Sequence, residues 1–298
     1  MDEGNGNGSS VVELHGLNKL IDGKPILTDI TADIEPGSIV GLLGKNGAGK
    51  TSLIDVMLGF SPPSSGSCRV FGRNSFDMPA AVKRRIGFVP QQDELLNSLT
   101  GAEQLALNSA LHPEWDHALI ARLAHEWAVP LDRGIHVLSG GERQKIATLL
   151  ALGHHPDLLV LDEPGSSLDP VARRQLLREL LDIAALPTRA VLFSTHIVSD
   201  LERIASQVWI LRNGRLAWAG DLDALKESVV RVTIESPDGL PKHPAIDGTL
   251  SQRSDGRRTQ RVITGWNDER HRELLDRFGA DLSVEYLGLE EIFLELDA

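Results

Sequence analysis

The stretch GKNGAGKT, residues 44–51, decides the fold of this chain. The largely apolar run 38–43 precedes it, and residues 52–58 follow with the spacing of an amphipathic helix. The alternative is an ordinary glycine-rich turn with a chance Lys-Thr pair. Because a buried strand, a tight turn and a helix all lie where a phosphate-binding P-loop requires them, we predict a P-loop here.

The backbone sets the chemistry of such a loop. Its N–H groups point inward and, with the positive end of the following helix, form a cradle for phosphate oxygens. Lys50 is placed to reach the β- and γ-phosphates of a nucleotide, and Thr51 offers a hydroxyl to Mg²⁺. The predicted nucleotide-binding residues of the loop are Gly44, Lys45, Asn46, Gly47, Ala48, Gly49, Lys50, Thr51 and Ser52.

Length and composition restrict the class of protein to which the chain can belong. At 298 residues, 41% of them hydrophobic, the chain suits one domain with an appendage. Its net charge of -12 argues against a nucleic-acid partner, since phosphate backbones are bound through clustered Lys and Arg. The single cysteine, Cys68, suits a reducing cytoplasm. Without a signal pattern or an apolar run of membrane length, a membrane role is expected only through a partner. Residues 1–10 are predicted to be a disordered tail.

Hydrophobic periodicity divides the chain up to residue 227 into strands and helices. Strands are predicted at 11–17, 26–34, 67–71 and 86–89. From residue 93 to about 129 the period becomes helical, which predicts an inserted helical subdomain at about 93–150. An α/β alternation is then completed by a strand at 158–161, a helix at 170–184, a strand at 189–194 and another helix.

Two carboxylates, Asp162 and Glu163, follow the strand 158–161 directly. Ligands of open α/β sheets lie beyond the carboxyl ends of the strands, so a carboxylate pair at this position suits a site for a metal ion and a water. The alternative is a solvated acidic turn. We therefore regard the pair as a candidate site.

Five motifs, taken in order, give the chain a family resemblance. They are the P-loop, Gln91, the LSGGERQ segment (residues 138–144), the pair Asp162-Glu163 and His196. Through these motifs, residues 11–227 resemble the nucleotide-binding subunit of an ATP-binding-cassette (ABC) transporter. The resemblance implies an α/β P-loop NTPase fold with a RecA-like core, an antiparallel β subdomain and the inserted helical subdomain.

The resemblance also implies roles for single residues. Asp162 would hold Mg²⁺ together with Thr51 and Gln91, and Glu163 would be the general base that activates the attacking water. His196 would donate to the γ-phosphate, although a plain turn histidine is the alternative.

Gln91 would contact both the γ-phosphate and a water on the metal, although an exposed Gln91-Gln92 pair is the alternative. The implied catalytic set is Lys50, Gln91, Glu163 and His196. Because no element of the family's hydrolytic set is missing, an active ATPase is expected.

In the family, the LSGGERQ segment contributes to the nucleotide site of a second chain. Ser139, Gly140, Gly141 and Glu142 would bind the γ-phosphate held by another subunit, so two cassettes would enclose two ATP molecules head to tail. Asp169 would link the two sites, and the pair is either a homodimer or a heterodimer. The other implied partner is an integral-membrane permease, which would hold the chain at the cytoplasmic face of the cell membrane.

Three positions depart from the family pattern. Ile21 aligns best with the residue on which the family commonly stacks adenine, and isoleucine packs on a base but offers no π-face. Gly165 stands where a hydroxyl is usual, and Ser167 stands where glycine is usual. The loop that contains Gly165 and Ser167 and links the two sites is therefore expected to behave differently from the corresponding loop of the family.

Residues 228–298 are predicted to form a small α+β accessory domain. Its predicted elements are strands at 229–234, 261–264 and 282–287, a helix at 267–278 capped by Gly279, a helix at 289–296, and loops over 236–256. This tail, which ends in a helix, resembles the tails of cassettes from exporters of drugs, lipids and antimicrobial compounds.

The function implied is that of an ATP-hydrolysing subunit that powers a separate permease, with export favoured over import. One alternative is a soluble cassette protein of translation or DNA repair, which usually has two cassettes or a coiled-coil insertion. The other is a regulatory module that binds ATP without turnover, which only Ile21 supports.

Overall fold

The computed structural model describes residues 10–235, 246–255, 257–278 and 282–296. The predicted disordered tail, apart from Ser10, and the predicted helix cap Gly279 lie outside these residues. The strands are β1 (Val12–Ile21), β2 (Lys24–Ile34), β3 (Ile39–Leu43), β4 (Ser65–Val70), β5 (Arg73–Asn74), β6 (Ile86–Val89), β7 (Leu158–Asp162), β8 (Ala190–Thr195), β9 (Gln207–Arg212), β10 (Arg215–Asp221), β11 (Val229–Glu235), β12 (Thr249–Ser254), β13 (Arg258–Thr264) and β14 (Leu282–Tyr286). The helices are α1 (Lys50–Met57), α2 (Ala80–Lys83), α3 (Gly101–Ser109), α4 (His117–Glu126), α5 (Gly140–Leu152), α6 (Pro170–Ala184), α7 (Val198–Ile204), α8 (Leu222–Ser228), α9 (Asp268–Phe278) and α10 (Leu289–Leu296).

An antiparallel sheet in the order β2-β1-β4-β5 forms the predicted β subdomain. Its first two strands are longer than predicted, since Ile21 still pairs with Lys24 across the loop Asp22-Gly23. A two-residue Asp-Gly loop matches the twist of the flanking strands, and this lets the ladder continue to the turn.

The second sheet has the order β10-β9-β3-β8-β7-β6 and carries the nucleotide site. Strand β3 pairs in parallel with β8 and β9, while β7 pairs in parallel with β6 and β8. Strands β3, β7 and β8 are buried along their whole length, as expected for strands covered on both faces. Their carboxyl ends meet at one edge, where the P-loop follows β3, and β7 ends at Asp162 directly before Glu163.

The helical stretch after β6 contains α3, α4 and α5. Helix α3 begins at a capping box made by Thr100 and Glu103, and α5 begins at another made by Ser139 and Glu142. Because α5 packs against α3, α4 and β6, it connects the helical segment to the parallel sheet.

Backbone contacts divide the chain after Ala219, eight residues before the predicted boundary at 227. The second unit contains an antiparallel sheet in the order β12-β13-β11-β14. Its core includes Val230, Val232 and Ile263 from the sheet and Leu274 from α9. Leu289 and Ile292 of α10 are also buried.

The prediction of loops over 236–256 is wrong for residues 249–254, which form β12. This strand reads TLSQRS, and four of its six side chains are exposed. Among the described strands it pairs only with β13, so backbone hydrogen bonds rather than an apolar face hold it, and no alternating pattern marks it. Strands β9 and β10 were likewise not predicted. No helix among the described residues is long and apolar enough to cross a membrane.

Candidate functional site: a nucleotide-hydrolysis centre

The P-loop runs from the end of β3 into the first residue of α1, which is Lys50. Gly49 takes φ 109°, a left-handed conformation that glycine tolerates and other residues rarely adopt. A Cβ at this position would lie 2.9 Å from the Leu27 side chain and 3.1 Å from the Ile26 carbonyl oxygen. The close approach of this backbone therefore requires glycine, and it leaves the amino end of α1 open as a phosphate cradle.

Lys50 lies inside the site rather than in solvent. Its Nζ donates to the Gly44 carbonyl oxygen at 2.7 Å and lies 3.2 Å from Oε1 of Glu163. Only 7% of Lys50 and 6% of Glu163 are exposed. The ammonium group thus neutralises a buried carboxylate in this structure, and that carboxylate atom has no further hydrogen-bond partner among the described residues.

Both oxygens of Asp162 accept hydrogen bonds. The Thr51 hydroxyl donates to Oδ2 at 2.7 Å, and the Ser194 hydroxyl donates to Oδ1 at 2.5 Å. Mg²⁺ prefers oxygen ligands and is commonly bound by one or two carboxylate or hydroxyl groups plus substrate phosphates. The paired oxygens of Thr51 and Asp162 beside the P-loop fit that ion.

Glu163 adopts φ 51°, which is unusual for a residue with a side chain. Its Oε2 lies 2.8 Å from Nδ1 of His196, a residue that is 56% exposed. A neutral imidazole that donates from Nδ1 has no proton on Nε2, whereas a charged one donates from both nitrogens. His196 therefore presents a donor to a phosphate when it is charged or when its ring turns.

Lys50, Thr51 and the two carboxylates open onto a pocket of about 400 Å³, which His196 does not line. Its lining consists of Ile26, Lys45, Asn46, Gly47, Gly49, Lys50, Thr51, Ser52, Gln91, Asp162 and Glu163. The structure thus brings most of the predicted P-loop residues together with Gln91 and both carboxylates. Ile21, 45% exposed at the end of β1, does not line the pocket, whereas Ile26 does.

The predicted γ-phosphate contacts of the LSGGERQ segment lie outside this pocket. The Ser139 hydroxyl donates to Glu142 Oε2 at 2.8 Å, and the Glu142 backbone N–H donates back to it. The backbone N–H and hydroxyl of Ser139, with Arg133 nearby, hold the pKa of Glu142 below its usual value. Ser139 and Glu142 therefore complete the amino end of α5, away from the P-loop of the same chain.

An ion pair that was not predicted from the sequence joins the loop after Gln91 to α5. Arg143 Nε donates to both carboxylate oxygens of Asp93, at 2.9 and 3.0 Å, and its Nη1 donates to Asn97 Oδ1 at 2.8 Å. Partial burial raises the pKa of Asp93. The hydrogen bonds and the positive charge of Arg143 lower it by more, so the pKa of Asp93 lies below its usual value. The sequence signal was weak, since the two residues are fifty positions apart.

We expect Asp93→Asn to lower the free energy of unfolding by about 1–3 kcal/mol at neutral pH, as for a lost hydrogen bond to a charged group. Since the pKa of Asp93 is lower in the folded state, its stabilisation is complete above the unfolded pKa of about 3.9 and is lost as the pH falls through the folded pKa. Denaturant unfolding from pH 7 to pH 3 should show that the difference in unfolding free energy between Asp93→Asn and wild type decreases below about pH 4. The exposed Asp33→Asn is the control, and a difference in unfolding free energy that is independent of pH would contradict the assignment.

The parallel sheet, the P-loop and the carboxylates at the sheet edge define a P-loop nucleotide hydrolase. A family model described as ABC transporter matches residues 27–166. The bacitracin transport ATP-binding protein BcrA of Bacillus licheniformis is 31% identical over 74% of this chain and 72% of that protein. The Nod factor export ATP-binding protein I of Sinorhizobium fredii is 30% identical over 96% of this chain and 85% of that protein. The chain belongs to the family of ABC transporter ATP-binding proteins.

Other relatives are consistent with that assignment. The ATP-binding cassette sub-family A member 7 of Rattus norvegicus is 37% identical over 79% of this chain, which spans only 11% of that protein. A solved ATP-binding subunit of an ABC transporter matches with a TM-score of 0.66 and 30% identity, over 72% of this chain and 91% of that one. The predicted family, the P-loop NTPase fold and the ATPase activity are thereby confirmed: the chain binds and hydrolyses ATP.

Proposed function

We propose that the chain drives a separate integral-membrane permease by pairing head to tail with a second cassette when ATP binds. The observation that supports this proposal is that the LSGGERQ segment does not line the pocket of the P-loop. The P-loop cradle lies with Glu163 in one pocket, while the LSGGERQ segment begins α5 outside that pocket. A second chain that supplies its own LSGGERQ segment would complete each site.

Within one site, the backbone of residues 44–52 would hold the phosphates, and Lys50 would leave Glu163 to contact the β- and γ-oxygens. Thr51, Asp162 and Gln91 would hold Mg²⁺ directly or through water. Bound Mg²⁺ would neutralise charge that develops between the β- and γ-phosphates.

Glu163 would then take a proton from the attacking water. Its side chain is already held by Lys50 and His196, so departure of Lys50 toward the phosphates frees Oε1 as the proton acceptor. His196 would stabilise the negative charge on the γ-phosphate through a hydrogen bond.

The role of the LSGGERQ segment is tested by Ser139→Ala. This variant should keep the ATP affinity of its own P-loop but hydrolyse ATP at least about tenfold more slowly, because the paired site loses an oriented donor. It should also lose about 1 kcal/mol of stability with the helix cap. Thr100→Ala is the matched control, since Thr100 makes the same capping box on α3 and touches no proposed site.

Mixing the Ser139→Ala and Glu163→Gln chains identifies the partner of each cassette. A hybrid pair contains one site with both Glu163 and the opposing Ser139 intact, so phosphate release should exceed that of either variant alone. A mixture no faster than its components would contradict pairing of the chain with itself, and a fully active Ser139→Ala variant would overturn the role of Ser139.

A groove beside Gln91 supports the permease as the second partner. Its volume is about 400 Å³, and its lining includes Phe60, Phe88, Pro90 and Leu95. Phe60 is exposed although it is large and apolar, which suits a surface that a protein partner covers. Such docking would place the chain at the cytoplasmic face of the cell membrane.

Export is the favoured direction, because the name of one relative, the Nod factor export ATP-binding protein I, specifies export. The net charge of -12 supports the exclusion of a nucleic-acid partner.

A further inference from the structure

Ser194 lies on β8 directly beside the catalytic edge of β7. Asp162 and Ser194 are a register pair of these two parallel strands, and Ser194 is 0% exposed. A serine that is fully buried in a strand has a hydroxyl that must find partners within the protein. Its neighbours here are the two carboxylate residues assigned to hydrolysis.

The Ser194 hydroxyl bonds to both residues at once. It donates its only proton to Asp162 Oδ1 at 2.5 Å and accepts the backbone N–H of Glu163 at 2.9 Å. Both partners are themselves buried, so removing the hydroxyl leaves a carboxylate oxygen without its donor and an N–H without its acceptor.

The bond to Glu163 supports a strained backbone. A residue with a side chain at φ 51° persists only where its surroundings fix it, and such positions concentrate at active sites. The hydrogen bond from the Glu163 N–H to Ser194 is one of these restraints. It therefore helps to determine where the Glu163 carboxylate lies relative to Lys50 and His196.

The two carboxylate oxygens of Asp162 accept hydrogen bonds from different hydroxyl groups. Ser194 occupies Oδ1, while Oδ2 accepts the hydroxyl of Thr51. If the Thr51 hydroxyl bound Mg²⁺ instead, Oδ2 would be free to contribute to the same site, and the hydrogen bond from Ser194 would restrict rotation of the carboxylate.

We propose that Ser194 is a positioning residue for ATP hydrolysis, which fixes Asp162 toward Mg²⁺ and Glu163 toward the attacking water through one hydroxyl. This inference rests on the roles proposed above for Asp162 and Glu163. Groups that orient the ligands of a metal typically change affinity or activity about 10–100-fold when removed.

The test compares Ser194→Ala with the near-isosteric Ser194→Cys in the full-length chain. Ser194→Ala should lower kcat about 10–100-fold while the KM for ATP changes little, and the weak thiol donor of Ser194→Cys should recover part of the loss. The gain in affinity for a fluorescent ATP analogue on adding Mg²⁺ should also shrink in Ser194→Ala. Ser75→Ala removes an equally buried hydroxyl beside Cys68 and is the control for lost stability.

The outcomes separate this inference from the proposed roles. If Glu163→Gln is inactive but Ser194→Ala keeps both kcat and the Mg²⁺ effect within twofold of wild type, Ser194 has no positioning role. A loss of kcat in Ser194→Ala that Ser75→Ala reproduces, with equal falls in melting temperature, also overturns it. If Glu163→Gln hydrolyses like the wild type, the assignment of the base fails and the inference fails with it.

Discussion

Glu163→Gln should lower the rate of ATP hydrolysis by a factor of about 10²–10⁴, the usual contribution of a positioned general base. Glutamine keeps the shape of the side chain but cannot take the proton of the attacking water. ATP should bind at least as tightly as in wild type, because Lys50 no longer has to leave a buried carboxylate at 3.2 Å before it contacts the phosphates. Phosphate release and the binding of a fluorescent ATP analogue measure the two effects separately.

Glu179→Gln is the matched control for this prediction. Glu179 is also buried and ion-paired, with Arg122 at 3.2 Å, but it lies on α6 outside the nucleotide pocket. It should keep the wild-type hydrolysis rate. If Glu163→Gln retained more than a tenth of the wild-type rate, or lost ATP binding in parallel, Glu163 would not be the base.

Lys50→Met should weaken ATP binding about 10–100-fold, because charge-assisted hydrogen bonds to the phosphates are lost and the chain length is retained. It should also destabilise the nucleotide-free protein, since the buried Glu163 carboxylate then has no ammonium group beside it. Isothermal titration with ATP and denaturant unfolding without ATP measure the two consequences.

The double variant Lys50→Met, Glu163→Gln separates these consequences. It removes the unpaired carboxylate, so stability should return toward that of wild type while ATP binding stays weak. The exposed Lys24→Met controls for the general loss of a positive charge. ATP affinity within twofold of wild type in Lys50→Met would refute the role of Lys50.

The sequence predicts those parts of the fold that depend on local pattern. The apolar residues of β3 and β7, followed by the P-loop and by Asp162-Glu163, define buried parallel strands whose ends must share an edge. Helix α6 begins at Pro170, as predicted, because Asp169 caps it through two backbone N–H groups.

Elements that depend on partners distant in the chain were harder to predict. Strand β12 is polar and exposed, so only its pairing with β13 reveals it. The Asp93–Arg143 pair joins two segments that neither motif nor periodicity connects.

In the candidate site, too, local motifs predict some residues, while the roles of others depend on partners distant in the chain. Motifs select residues by type and spacing, and they pointed to Lys50, Asp162 and Glu163 without their mutual geometry. The sequence predicts only that Ser194 ends a strand, since its role follows from the register of β8 with β7. Ile21 as the adenine contact stays a prediction, and Ile26 on the next strand lines the pocket.

The central claim, a cassette that drives a membrane permease, is tested most directly by affinity purification from detergent-solubilised membranes of the native cell. The bait is the tagged Glu163→Gln chain with ATP, which should hold the closed pair. We expect it to recover a membrane protein with several spans, and we expect Phe60→Glu in the groove beside Gln91 to abolish that recovery. Recovery of ribosomal or DNA-repair proteins, without any such membrane protein, would contradict the claim and favour a soluble cassette ATPase.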